Sequence, residues 1–174
     1  MIANPAVTAT VPLMSRSITS QVEPAVLKRL LAAIGVTAVA LPSAATSAQA
    51  ATPAVQIVKV YYDSPGSDRG GNVSLNGEYA VLRNMSKKNI QLANWILRDE
   101  TGYKFIFPSF TLKPGKSVTV RSGRGSNTAT TLYWGRKWYV WNNDGDTAGL
   151  FRGGDLKKID TCVWGRGGIS TTCQ

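Results

Sequence analysis

The sequence predicts an all-β domain, a sandwich or a small barrel, on three observations. Short runs rich in β-branched and aromatic residues recur at close spacing, clusters of Gly, Asn, Asp, Ser and Pro separate them, and no long segment keeps the 3.6-residue period of an amphipathic helix. The domain occupies residues 55–164 of the 174-residue chain.

The residues before it read as an export leader. Arg16, Lys28 and Arg29 supply a basic start, an apolar run over residues 30–41 follows, and Pro42 and small residues lead to Ala48-Gln49-Ala50, which has the A-x-A form of a cleavage site. The apolar run is too short for a membrane helix, which needs roughly 20 such residues. The expectation is that residues 1–50 are removed, that residues 51–54 form a short leader, and that the product is extracellular, released or held at the cell wall without a covalent anchor. The whole chain carries 20 Lys and Arg against 10 Asp and Glu, and no histidine. Residues 51–174 keep seventeen cations and nine carboxylates, a net charge of +8.

Each strand follows from local composition. Residues 55–62 are β-branched and aromatic, and the polar loop 63–71 ends them. Residues 78–83 form the next run, after Asn76-Gly77. A third holds Ile90, Leu92, Trp95 and Leu97, and a turn at 99–102 leads into a fourth over 103–107, closed by Pro108. Leu112-Lys113-Pro114-Gly115 is a turn, because Pro presets one turn dihedral and Gly accepts positive φ. Residues 117–121 alternate Val118 and Val120 with polar side chains, as a half-exposed strand does. After the polar stretch 122–131, strands are expected over 132–134, 138–141, 147–151 and 158–164. Cys162 and Cys173, in an exported chain, are expected to close one disulfide.

In order and spacing these segments resemble the lamin tail domain family in its secreted bacterial form. The resemblance is carried by Asn76-Gly77-Glu78-Tyr79, by Leu82 with Asn84, and by Leu92, Trp95, Leu97, Arg98 and Asp99. It continues through Phe107-Pro108, Leu112 to Gly115, Leu132-Tyr133-Trp134-Gly135, Trp141-Asn142-Asn143 with Gly145-Asp146, and Asp160-Thr161-Cys162. It implies an immunoglobulin-like β-sandwich, to which the strand count also points. It implies as well a buried inter-sheet Trp95, and adhesion or tethering rather than catalysis. Three features depart from the pattern. Gly149 replaces a β-branched residue and weakens one strand, Arg136-Lys137-Trp138 replaces a small turn, and residues 165–174 extend beyond the usual end.

The absence of histidine removes the commonest general base, together with every Ser-His and Cys-His nucleophile and every imidazole-dependent zinc site. Enzyme chemistry would have to rest on Asp99-Glu100 or Asp144 and Asp146, neighbours on turns that offer no cleft for a carboxylate pair. Residues 142–146 resemble part of an oxygen-ligand calcium loop but lack the distant bidentate Glu; the favoured reading is an Asx-rich turn. No metal and no cofactor is expected. The candidate binding site is Arg136, Lys137, Trp138 and Tyr139, with the two cations in a turn, because interleaved cations and aromatics stack on sugars or bases while neutralising phosphate. The expected partner is an anionic polymer, a wall polymer or extracellular DNA, or another envelope protein. Self-association at the cell surface is the main alternative, ahead of a minimal hydrolase or nuclease.

Overall fold

The computed structural model describes residues 51–173; the expected leader, 1–50, lies outside the described residues. In chain order the elements are β1 Val55–Tyr61, α1 Asn72–Leu75, β2 Tyr79–Asn84, β3 Ile90–Gln91, β4 Ile96–Arg98, β5 Lys104–Ile106, β6 Thr111–Leu112, β7 Ser117–Arg121, β8 Thr131–Tyr133, β9 Gly145–Phe151, β10 Lys158–Gly165 and β11 Ser170–Thr172. A five-stranded sheet in the order β11-β1-β2-β7-β8 faces a four-stranded sheet in the order β10-β9-β4-β5, and β3 pairs with β6 in a short ribbon. This is the expected immunoglobulin-like sandwich.

Strand alternation builds the core. On β2, Ala80 and Leu82 are buried between half-exposed or exposed neighbours, and on β7 Val118 and Val120 are buried between half-exposed ones. β1 buries Val55, Ile57 and then Val60, a change of parity explained by the register shift between Ile57 and Lys59 that its pairing with β2 shows. β10 has its own register shift, between Lys158 and Asp160. The two irregularities meet, because the Asp160 carboxylate accepts the Ile57 N–H at 2.7 Å. β11 pairs with β1, and Cys173, which follows it, is disulfide-bonded to Cys162 of β10 with Cα atoms 5.4 Å apart. The expected disulfide therefore ties one sheet to the other at their shared edge.

Several sequence expectations are corrected. Residues 90–97 are two strands, because Asn94 takes a left-handed conformation (φ 65°) and the Trp95 N–H turns back to the Leu92 carbonyl at 2.9 Å. That turn leaves Trp95 only partly buried, packed against the core, where full burial was expected. The buried tryptophans are instead Trp141 and Trp164. Residues 138–141 form no strand, since their end is held by a side chain rather than by a neighbouring strand. The segment read as an extension supplies β11, and the short helix α1 follows the expected loop 63–71, over residues to which the sequence assigned no element. Gly149 does not break β9, which runs through it paired to Arg98 and Thr161. A Cβ there would lie 2.7 Å from the Phe151 ring, and the Arg98 guanidinium sits over that ring at 4.6 Å. Among the described residues no helix is long and apolar enough to cross a membrane.

Candidate functional site

β8 and β5 are the outer strands of the two sheets on the side away from the disulfide. The chain leaving β8 crosses between them. Trp134 turns inward onto Phe105 of β5, with ring centroids 5.8 Å apart, and the backbone N–H groups of Trp134, Gly135 and Arg136 donate in turn to the carbonyls of Arg121, Gly123 and Ser122. These bonds fix residues 134–136 against the end of β7 and set the direction of Arg136. Its guanidinium lies 3.9 Å from the centre of the Tyr103 ring, and its Nε is buried without a hydrogen-bond partner. Tyr103 is placed by the preceding turn, in which the Asp99 carboxylate accepts the N–H groups of Gly102 and Tyr103 and the Thr101 hydroxyl.

Lys137 is exposed and Trp138 is 58% exposed. Gly70 is the reason Trp138 sits where it does: with φ at +73° and no side chain, it lets the indole close in, where a Cβ would be 2.5 Å from Trp138 Cζ3. Tyr139 packs edge-on against Trp138 at 5.6 Å and shares a 2.6 Å hydrogen bond with the Ser74 hydroxyl of α1. The Tyr139 hydroxyl is thus tied to α1, Lys137 and Trp138 face solvent, and Arg136 between Gly135 and Lys137 is half-buried.

Sequence reasoning missed two cations that the fold brings to them. Arg124 lies 12 residues earlier in the chain, and α1 holds it: Asn72 accepts the Arg124 N–H at 2.7 Å, and Asn72 and Asn76 both donate to its carbonyl at 3.0 Å. Lys104 arrives on β5. Two shallow concavities result, one on each side of the Arg136-Lys137 turn. The first, about 500 Å³, is lined by Gly70, Asn72, Leu75, Arg124, Arg136 and Lys137. The second, about 540 Å³, is lined by Lys104, Trp134, Gly135, Arg136, Lys137 and Trp138. Neither lining contains a carboxylate. No signal in the sequence marks Arg124, which sits between two glycines in a polar stretch.

Behind this turn lies a buried acid. Glu78, at the start of β2, is 0% exposed, and its carboxylate accepts the N–H of Val140 at 3.1 Å and that of Trp141. These two bonds take the place of the strand pairing expected for residues 138–141. Burial pushes the Glu78 carboxyl up to about 7, against the opposing hydrogen bonds from the Trp141 and Val140 N–H groups and the nearby Ser122 hydroxyl.

The other acids named from sequence are committed to turns. Asp146 is buried and accepts from the backbone N–H groups of Glu100, Thr147 and Asn142, at 3.0, 2.7 and 3.1 Å. Asp144 pairs with Arg166 at 3.1 Å. Residues 142–146 are an Asx-stabilised turn at the mouth of β9, and among the described residues no group of three or more His, Cys, Asp or Glu is placed to hold a metal ion.

The comparisons agree with this architecture. No curated protein matches the chain. The sequence model of the Lamin Tail Domain matches residues 48–166, a span that includes every strand but β11 and the turn carrying Arg136. That family is an immunoglobulin-like structural and binding domain, not known as catalytic. On the sandwich and on this match, the chain belongs to the lamin tail domain family.

Proposed function

We propose that the protein is a secreted, non-catalytic binding module that holds an anionic polymer of the cell envelope or extracellular space on the turn Arg136-Lys137-Trp138. One observation carries the reading. Two carboxylate-free concavities flank a single cationic turn, so a ligand lying across it meets Arg124 on one side and Lys104 on the other, with Arg136 and Lys137 between them. Repeated negative charge suits that arrangement better than one small anion, and exposed Trp138 offers an apolar face to sugar or base. The net charge of +8 over residues 51–174 adds long-range attraction to any polyanion.

Retention on heparin and on isolated cell-wall material, followed across salt concentration, tests the reading. Binding should weaken steeply as salt rises, because each neutralised anionic group releases counterions. Retention that ignores salt, or none at low salt, contradicts it.

Self-association is the second reading, favoured by the outer face of the four-stranded sheet. There Ile106, Ile96 and Phe151 stand in register across β5, β4 and β9, with Ile106 59% exposed. Sedimentation at micromolar concentration, with Ile106→Lys as the disrupting variant, distinguishes the two.

A further inference from the structure

We propose that Glu78 is a proton-operated latch on the segment bearing Arg136, Lys137 and Trp138: its buried carboxylate grips the Val140 and Trp141 backbone, and proton uptake there loosens the grip and favours anion binding on the turn. The inference rests on the binding reading above and adds its regulation.

The geometry gives the latch its reach. The backbone of residues 135–141 is hydrogen-bonded at two places, and between them the Tyr139 hydroxyl is tied separately to Ser74 of α1. At the leading end the Gly135 and Arg136 N–H groups bond to Gly123 and Ser122; at the trailing end the Val140 and Trp141 N–H groups bond to Glu78. The solvent-facing cation and aromatic, Lys137 and Trp138, lie between the two. A charged carboxylate accepts such bonds more strongly than a neutral carboxyl group does, so protonation weakens the trailing attachment. The protonated group keeps one carbonyl oxygen to accept with, and the segment is loosened rather than released.

The surroundings decide which form wins. Among the described residues Glu78 makes no ion pair. Asp68, in the loop before α1, opposes its ionisation through space, and Ser122, at the end of β7, contributes only a hydroxyl. The Arg121 guanidinium of β7 donates to the Asn76 carbonyl, two residues before the carboxylate. Arg136 and Lys137 ride on the gripped segment itself. An anion settling on them brings negative charge to the far side of that segment, and like charge disfavours the ionised carboxylate. Binding therefore takes up a proton, and by reciprocity a lower pH strengthens binding. Burial has already brought the carboxyl group to about 7, so the exchange falls in the neutral range. The chain has no histidine, the side chain that ordinarily titrates there.

The test uses the full chain with carboxyl-13C glutamate. It contains three glutamates, Glu23, Glu78 and Glu100, and the resonance missing from Glu78→Gln identifies Glu78. That signal should titrate with a midpoint of about 7. The Val140 and Trp141 amide resonances should move with it, and they report the latch in the wild-type chain even where the variant folds poorly. Heparin, whose sulfates stay ionised throughout, should bind at least about five-fold more tightly near pH 6 than near pH 8, a coupling of ordinary allosteric size. Glu78→Gln should flatten that dependence. A Glu78 midpoint below about 5, or a pH dependence of heparin binding that survives in Glu78→Gln, overturns the latch. If heparin binds at no pH, the polyanion reading falls, and the latch stands or falls on whether the two amides follow Glu78.

Discussion

The two lateral edges of the sandwich are closed in opposite ways. At the β1, β10 and β11 edge the closure is covalent and electrostatic: Cys162 to Cys173 joins the sheets, Asp160 caps the Ile57 N–H, and Tyr62 stacks on Trp164 at 5.1 Å. At the β8 and β5 edge no covalent link exists among the described residues, and Trp134 on Phe105 and Arg136 on Tyr103 do the closing. The first edge spends its polar groups on itself, and the second leaves its cations facing water. An edge closed by aromatic packing and backbone hydrogen bonds leaves its side-chain charge free to meet a ligand, and the candidate site sits there. A file of rings connects the two, from Trp164 to Trp141 at 5.9 Å, then to Trp134 at 5.7 Å. Glu78 holds the backbone of the middle member.

The contrast can be broken from either side. The largest expected effect is on the stability of the whole fold with pH, which is separate from the local hold on the Val140 and Trp141 backbone. The folded state holds the Glu78 proton more tightly than the unfolded chain, whose carboxyl has the ordinary value of 4.5 against about 7 when folded. Stability is therefore greatest below the lower value and falls as pH rises through the upper one, by on the order of 3 kcal/mol. Asp160, raised by burial, adds in the same direction. Urea unfolding near pH 5 and near pH 8 checks this, and Glu78→Gln should remove most of the slope.

Reduction of the disulfide, or Cys162→Ser with Cys173→Ser, should cost roughly 2 to 3 kcal/mol, the chain-entropy value for a loop of about a dozen residues. Chemical unfolding with and without reductant measures it. Heparin binding at the opposite edge should survive, and its loss on reduction would mean that the edges are not independent.

Gly70→Ala is smaller and more local. The substituted residue must hold φ at +73° and push Trp138 away, which should cost about 1 to 2 kcal/mol. The 58%-exposed indole of Trp138 should become more exposed, read as increased quenching by acrylamide.

How much of this the sequence carries differs between the edges. The disulfide edge was legible, because a single pair of cysteines and β-branched runs such as Val55, Ile57 and Val60 announce themselves locally. The segment holding β11 was not, since Ser170 and Thr172 have no apolar alternation and become a strand by pairing with β1. At the site edge, Arg136, Lys137 and Trp138 stood out by density. Arg124 and Glu78 did not, because what places them is distant: Asn72 reaches Arg124 across 52 residues, and Glu78 reaches Val140 across 62. A glutamate at a strand start ordinarily faces water, and nothing in its neighbours Gly77 and Tyr79 says otherwise. Residues 138–141 carry strand composition, yet their N–H groups find that carboxylate first.

The central claim is that binding is localised on the cationic turn rather than spread over a basic surface. Two double variants remove equal charge from different edges: Arg136→Ala with Lys137→Ala at the turn, and Lys157→Ala with Lys158→Ala at the start of β10. The most direct measurement is the slope of log affinity for heparin against log salt in each. The turn variant should weaken binding and lower the slope by about two units, one for each cation removed, while the β10 variant changes little. Equal weakening in both would contradict the account, leaving only diffuse attraction between a basic protein and a polyanion.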